Sequence, residues 1–117
     1  RHAMNTRSAR PAIRAVRFDD VGAAIERLVG IANGDTGQSA RVADFLLAWW
    51  NGPDNGHFPI LHLCNCDATI GEDMIVIMAY LAQEPTVYPD AWGYRDAMIG
   101  LVERWRAREE STGGHHG

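Results

Sequence analysis

The stretch from Asp35 to Asn51, DTGQSARVADFLLAWWN, constrains this chain most, because it reads as a helix too apolar to lie on the outside of a fold. Val42, Phe45, Leu46, Leu47, Trp49 and Trp50 cover well over half its circumference, whereas a surface helix needs a stripe only about 100° wide. Successive residues point about 100° apart on a helix, so Trp49 and Trp50 are expected to face different neighbours. The helix is either the centre of a small core or has one face in the core and another against a partner.

A chain of 117 residues with 46% hydrophobic content has room for one domain with a real core. The longest near-continuous apolar run, Met74 to Ala82, falls far short of the roughly 20 residues of a membrane span. Arginines near the start have no apolar h-region behind them, so no signal peptide is read there. Met4 is expected as the natural start, with Arg1, His2 and Ala3 as a cloning remnant. Two cysteines in an acidic chain suggest a reducing cytoplasm.

All eleven basic residues are arginine. Schiff-base chemistry and phosphate-binding loops of the GKT type need a primary ammonium, so both are excluded. Arg1, Arg7, Arg10, Arg14 and Arg17 lie ahead of every carboxylate. The remainder sets six arginines against fifteen acids, a formal charge of −9. Residues 1–17 therefore read as a basic arm, in the bland case a solvated one. In a sharper alternative Arg7, Arg10, Arg14 and Arg17 contact phosphates or an acidic partner. The acidic body argues against nucleic acid as the main partner, because it repels the backbone that the arm attracts.

The pattern predicts an all-α, compact bundle of about four helices. The first runs from about Asp20 to Asn33, with Val21, Ile25, Leu28, Val29 and Ala32 on one face and Gly34 ending it. The second begins near Thr36 to Ser39 and stops at Asn51, where NGPDNG is turn chemistry throughout. An irregular or extended connection fills about 52–66. A third helix spans roughly 67–83, capped by Asp67 or by Thr69 with Glu72, and is largely buried because Ile75 and Val76 widen its core face. A fourth follows the Tyr88-Pro89-Asp90 turn and reaches Glu110, with Tyr94, Ala97, Met98, Leu101, Val102 and Trp105 inward. Arg104, Arg106, Arg108, Glu103, Glu109 and Glu110 take its wet side. The domain is placed at 18–110 and a disordered tail at 111–117.

Several constellations could carry chemistry. If residues 60–66 are extended, His62, Cys64 and Cys66 share a face, and with His57 they form a zinc half-site of suitable softness. Their spacing is unusual for zinc and a second ligand pair is missing, so ordinary packed thiols are the preferred reading; Leu61 and Leu63 are the core face unless the cysteines themselves are the buried side. No cofactor is expected otherwise. Asp35-Thr36-Gly37 matches the aspartic-protease tripeptide, but it precedes a helix instead of following a strand, so Asp35 reads as turn and cap chemistry. Asp67, Glu72 and Asp73 sit at a helix start, where the macrodipole favours acids without any metal. Trp49, Trp50, Trp92 and Trp105, together with Phe45, read as core or as an oligomer seam.

The segments DTGQSARVADFLLAWWN, GHFPILHLCNCDATIGEDM and YPDAWGYRDAMIGLVERW resemble a family of small uncharacterised proteobacterial proteins, often encoded on plasmids and integrated mobile elements. The resemblance covers roughly residues 20–106. It implies a bacterial cytosolic protein and carries no catalytic residues. Cys64 and Cys66 stand where the similar proteins have other apolar side chains, which weakens the metal reading. The sequence thus points to a non-enzymatic accessory or regulatory protein that acts by protein–protein interaction. Self-association, as a dimer first, is expected through the tryptophan face, with no membrane contact. The alternatives are a metal- or thiol-dependent site at His57, His62, Cys64 and Cys66, or weak nucleic-acid binding by the arm.

Overall fold

A computed structural model describes residues 16–83 and 86–106. The arm arginines Arg7, Arg10 and Arg14, the tail, and Arg108, Glu109 and Glu110 lie outside the described residues. Among the described residues four helices carry the fold: α1 (Phe18–Ala32), α2 (Gly37–Asn55), α3 (Ala68–Leu81) and α4 (Arg95–Leu101). Short 3-10 turns at Ile60–Asn65 and Pro89–Trp92 connect them, and α4 runs on as a π turn, Val102–Arg106. Among the described residues there is no strand, and no helix is long and apolar enough to cross a membrane.

α1 starts two residues ahead of the expected position. The backbone N–H of Arg17 donates to the Asp20 carboxylate at 2.9 Å, which satisfies a donor at the helix start. That hydrogen bond, more than the nearby guanidinium, holds the exposed Asp20 carboxyl below its ordinary range. Val21, Ile25, Leu28 and Ala32 are wholly buried, as the periodicity predicts, and Ala24 joins them, whereas Val29, expected on the same face, is only half-buried. This face packs α1 against both α2 and α3, while α2 also meets α4 and the π turn.

α2 is capped by Thr36, not Asp35. Thr36 Oγ1 accepts from the Ser39 N–H at 3.0 Å, and Ser39 Oγ accepts from the Thr36 N–H at 3.3 Å. This is a capping box with serine in the returning position. Five of the six residues from Val42 to Leu47 are buried, so the over-wide apolar surface is core. The helix also outruns its expected end by four residues, with a break at Asn51 (φ −153°, ψ 66°). Pro53 has no N–H to offer the Trp49 carbonyl, which is the usual cause of such a kink. Beyond the kink the chain folds back tightly. A Cβ on Gly56 would lie 2.7 Å from the Ala48 and Gly52 Cα atoms, so only glycine fits there.

Residues 60–65 coil as a 3-10 turn instead of extending, which changes the side-chain period from two to three. Leu63 and Cys66 are therefore half-buried together, and Leu61 is exposed with Cys64. The expected Leu61–Leu63 core face does not form. At α3, Asp67 stands at the N-cap position without using its side chain as a cap. Gln38 occupies it: Gln38 Nε2 donates to Asp67 Oδ2 at 3.2 Å, and the Asp67 N–H donates to Gln38 Oε1 at 2.6 Å. Ile75 is half exposed, so α3 is narrower in its burial than its composition predicts. Its one buried acid, Asp73, accepts two bonds from the Arg27 guanidinium, at 3.0 and 2.8 Å.

The fourth helix departs most from expectation. Met98 and Leu101 are buried as predicted, but Arg104 and Arg106 are not on a wet side. A π turn holds more residues per turn than an α-helix, so Arg104, Trp105 and Arg106 spread less far around the axis and all reach the body. Arg104 donates to the Gly34 carbonyl and to Asp35, the Trp105 indole to the Ala32 carbonyl, and Arg106 to the Asn55 carbonyl and Asp44. The tripeptide thus pins the α1–α2 turn and the end of the kinked helix together.

Candidate functional site

The four tryptophans frame the molecule, and one region among them stays open. Each indole N–H is bonded within the chain. Trp49 donates to the Val87 carbonyl at 2.8 Å, Trp50 to Asp90 Oδ1 at 2.9 Å, Trp92 to the Phe18 carbonyl at 2.8 Å and Trp105 to the Ala32 carbonyl at 2.9 Å. Such bonds are what a partly buried indole requires. Trp92 is the hub: Phe18 stacks on it at 4.5 Å, and Trp49 and Tyr80 meet it edge-on at 5.8 Å. It is carried there by the 3-10 turn Pro89–Trp92, which closes at Gly93 with φ +86°, a conformation that favours glycine.

Trp49 and Trp50 therefore reach the same segment, 87–90, contrary to the expectation of separate neighbours. Between that segment and the α2 kink lies an open cleft of about 570 Å³, lined by Ala48, Trp49, Trp50, Asn51, Gly52, Pro53, Tyr88 and Asp90. Among the described residues no aromatic ring stacks on Trp50 or Tyr88, and Tyr88 is 47% exposed. Among the described residues the lining carries one carboxylate, Asp90, and no cation. The Arg95 guanidinium stands 4.0 Å from the Asp90 carboxylate, with both groups partly in solvent. The described lining sets flat apolar ring faces beside a fixed negative charge.

Of the five residues expected to meet a partner, Trp49 and Trp50 line this cleft and Trp92 backs it. Phe45 is buried, edge-on to Phe58 at 5.3 Å, and presents no surface. Trp105 lies in the α4 clamp, with the Arg104 guanidinium 5.6 Å from its ring centre. Tyr88, Asp90 and the Asn51–Pro53 kink were not singled out as site residues. Their signal was present as turn chemistry, but nothing local says that two distant turns meet. Arg17, the one arm arginine that is described, lies 3.5 Å from Asp20 on the surface.

The histidine–cysteine group does not converge. His57 and His62 stand edge-on with ring centres 6.2 Å apart, while Cys64 faces solvent. Among the described residues no three His, Cys, Asp or Glu side chains are grouped to hold a metal. Cys66 donates its thiol to the His62 carbonyl at 3.4 Å. Burial pushes that thiol above its ordinary pKa, the opposite of activation. His62 Nδ1 is buried without a hydrogen-bond partner.

Comparison with known proteins adds one result. Residues 22–106 match the model of a family of unknown function, DUF7673, which spans α1 through the π turn and so includes every residue of the cleft. No curated protein and no solved structure matches the chain.

Proposed function

We propose that this chain, which belongs to the DUF7673 family, is a small non-enzymatic accessory or regulatory protein of the bacterial cytoplasm. It acts by protein–protein contact and pairs with itself across the cleft face. The observation that carries the reading is the open cleft at the α2 kink. Among the described residues no ring lies against Trp50 or Tyr88, and Tyr88 is exposed, although the Trp50 indole N–H is bonded to Asp90 as the other indoles are bonded within the chain. Half-exposed aromatic side chains beside small residues are what interface centres use, because large rigid rings bury area at little entropic cost.

Nuclear magnetic resonance tests this directly, since the chain has four indole N–H groups to observe. On raising the protein concentration, the Trp50 indole and Tyr88 amide signals should shift while the Trp105 indole signal stays fixed. Concentration-independent spectra, or shifts confined to Trp105, would remove the proposal.

A further inference from the structure

The cleft has a chemical preference that follows from its lining. Flat ring faces on Trp50 and Tyr88 sit beside the Asp90 carboxylate, and among the described residues no cation lines the space. A planar guanidinium satisfies all of these at once, stacking on a ring while donating to a carboxylate. Arg95 makes only the 4.0 Å approach to Asp90, so that carboxylate has capacity for a closer partner.

The same chain carries such groups in quantity. Arg7, Arg10 and Arg14 precede every carboxylate in the sequence, and the rest of the chain is strongly acidic. This basic segment joins the described fold at Phe18. The Phe18 ring stacks on Trp92, and Trp92 meets Trp49, a wall of the cleft. The root of the segment and the cleft therefore lie on one side of the molecule. Basic segment and acidic cleft together form a self-complementary pair, which is what a two-fold interface needs: each copy gives and receives the same contact.

We propose that the cleft is an arginine-binding site, and that its occupant is an arginine from residues 7–14 of a second copy of the chain. The proposal rests on the self-association reading above and names the contact that would hold the pair.

The test uses two full-length variants, with Tyr88→Ala as a third for comparison, and light scattering at low salt. One replaces Arg7→Gln, Arg10→Gln and Arg14→Gln together. The other is Asp90→Asn, which removes the charge but keeps an oxygen for the Trp50 indole. Each variant alone should dissociate on the order of tenfold more readily than the parent. An equimolar mixture should recover pairing, because one intact segment then meets one intact cleft. High salt should weaken the parent pair. Pairing that survives the arginine replacements but is lost in Tyr88→Ala would overturn the arginine proposal and leave self-association across the cleft standing. Pairing unaffected by any of the three variants would overturn both. A parent monomer whose Trp50 signal shifts on arginine replacement would place the segment in its own cleft and overturn the second-copy proposal.

Discussion

Trp49 and Trp50 are adjacent on α2 and point to different sides of it, yet their indole N–H groups end three residues apart on the same segment, at Val87 and Asp90. Segment 87–90 thus meets both indoles, Val87 taking one bond and Asp90 the other, and it lines the cleft together with the two rings.

The two indole bonds should differ in energetic weight. Val87 is half-buried, so Trp49→Phe leaves a carbonyl that water reaches poorly and should cost about 1–2 kcal/mol. Asp90 remains hydrated, so Trp50→Phe should cost only about 0.5 kcal/mol. Urea unfolding of both variants measures this, and the reverse order would contradict the assignment of Trp49 to the frame.

Ion pairs rank by burial in the same way. Asp44 and Arg106 are 18% and 16% exposed, and the bond between them spans 2.6 Å. Removing the acid takes away the charged partner of a largely buried guanidinium, so Asp44→Ala should destabilise by about 2–4 kcal/mol. Arg17→Ala, at the surface, should change stability by less than about 0.5 kcal/mol. Equal effects in thermal unfolding would refute the clamp.

The glycines offer a contrast of sign. Gly30 has open space around it inside α1, so Gly30→Ala should stabilise by about 0.5–1 kcal/mol through helix propensity. Gly56→Ala drives a methyl into the backbone of α2 and should cost about 1–3 kcal/mol.

For the cysteines, burial raises the folded-state pKa of Cys66 above its unfolded value. Its contribution to stability is then fully present below the unfolded pKa. It is lost as pH rises through the folded value, because the unfolded chain gives up its proton first. Cys66→Ala should therefore flatten the alkaline fall of the stability curve above about pH 8.5. At neutral pH, mass spectrometry after brief alkylation should find the exposed Cys64 labelled well ahead of Cys66.

Much of the fold was legible because it rests on periodicity. The α1 stripe, the wide burial of Val42 to Leu47 and the inward Met98 and Leu101 all follow from apolar spacing. What escaped depends on contacts between distant residues. The Gln38–Asp67 exchange bridges 29 positions and displaces the expected cap, and the π turn that recruits Arg104 and Arg106 leaves no local mark in the sequence. The extended reading of 60–66 failed for a subtler reason. Alternation and a short 3-10 turn differ by one residue in period, and the run is too short for composition to choose between them. The cleft was half legible: its tryptophans stood out, while Tyr88, Asp90 and the kink read only as punctuation.

The most direct measurement of the central claim is solution mass by light scattering across a wide concentration range, for the parent chain and for Tyr88→Ala. The parent should pass from monomer to dimer with rising concentration, and Tyr88→Ala should stay monomeric over the same range. A parent that remains monomeric throughout, or a Tyr88→Ala variant that pairs as tightly as the parent, would contradict the account.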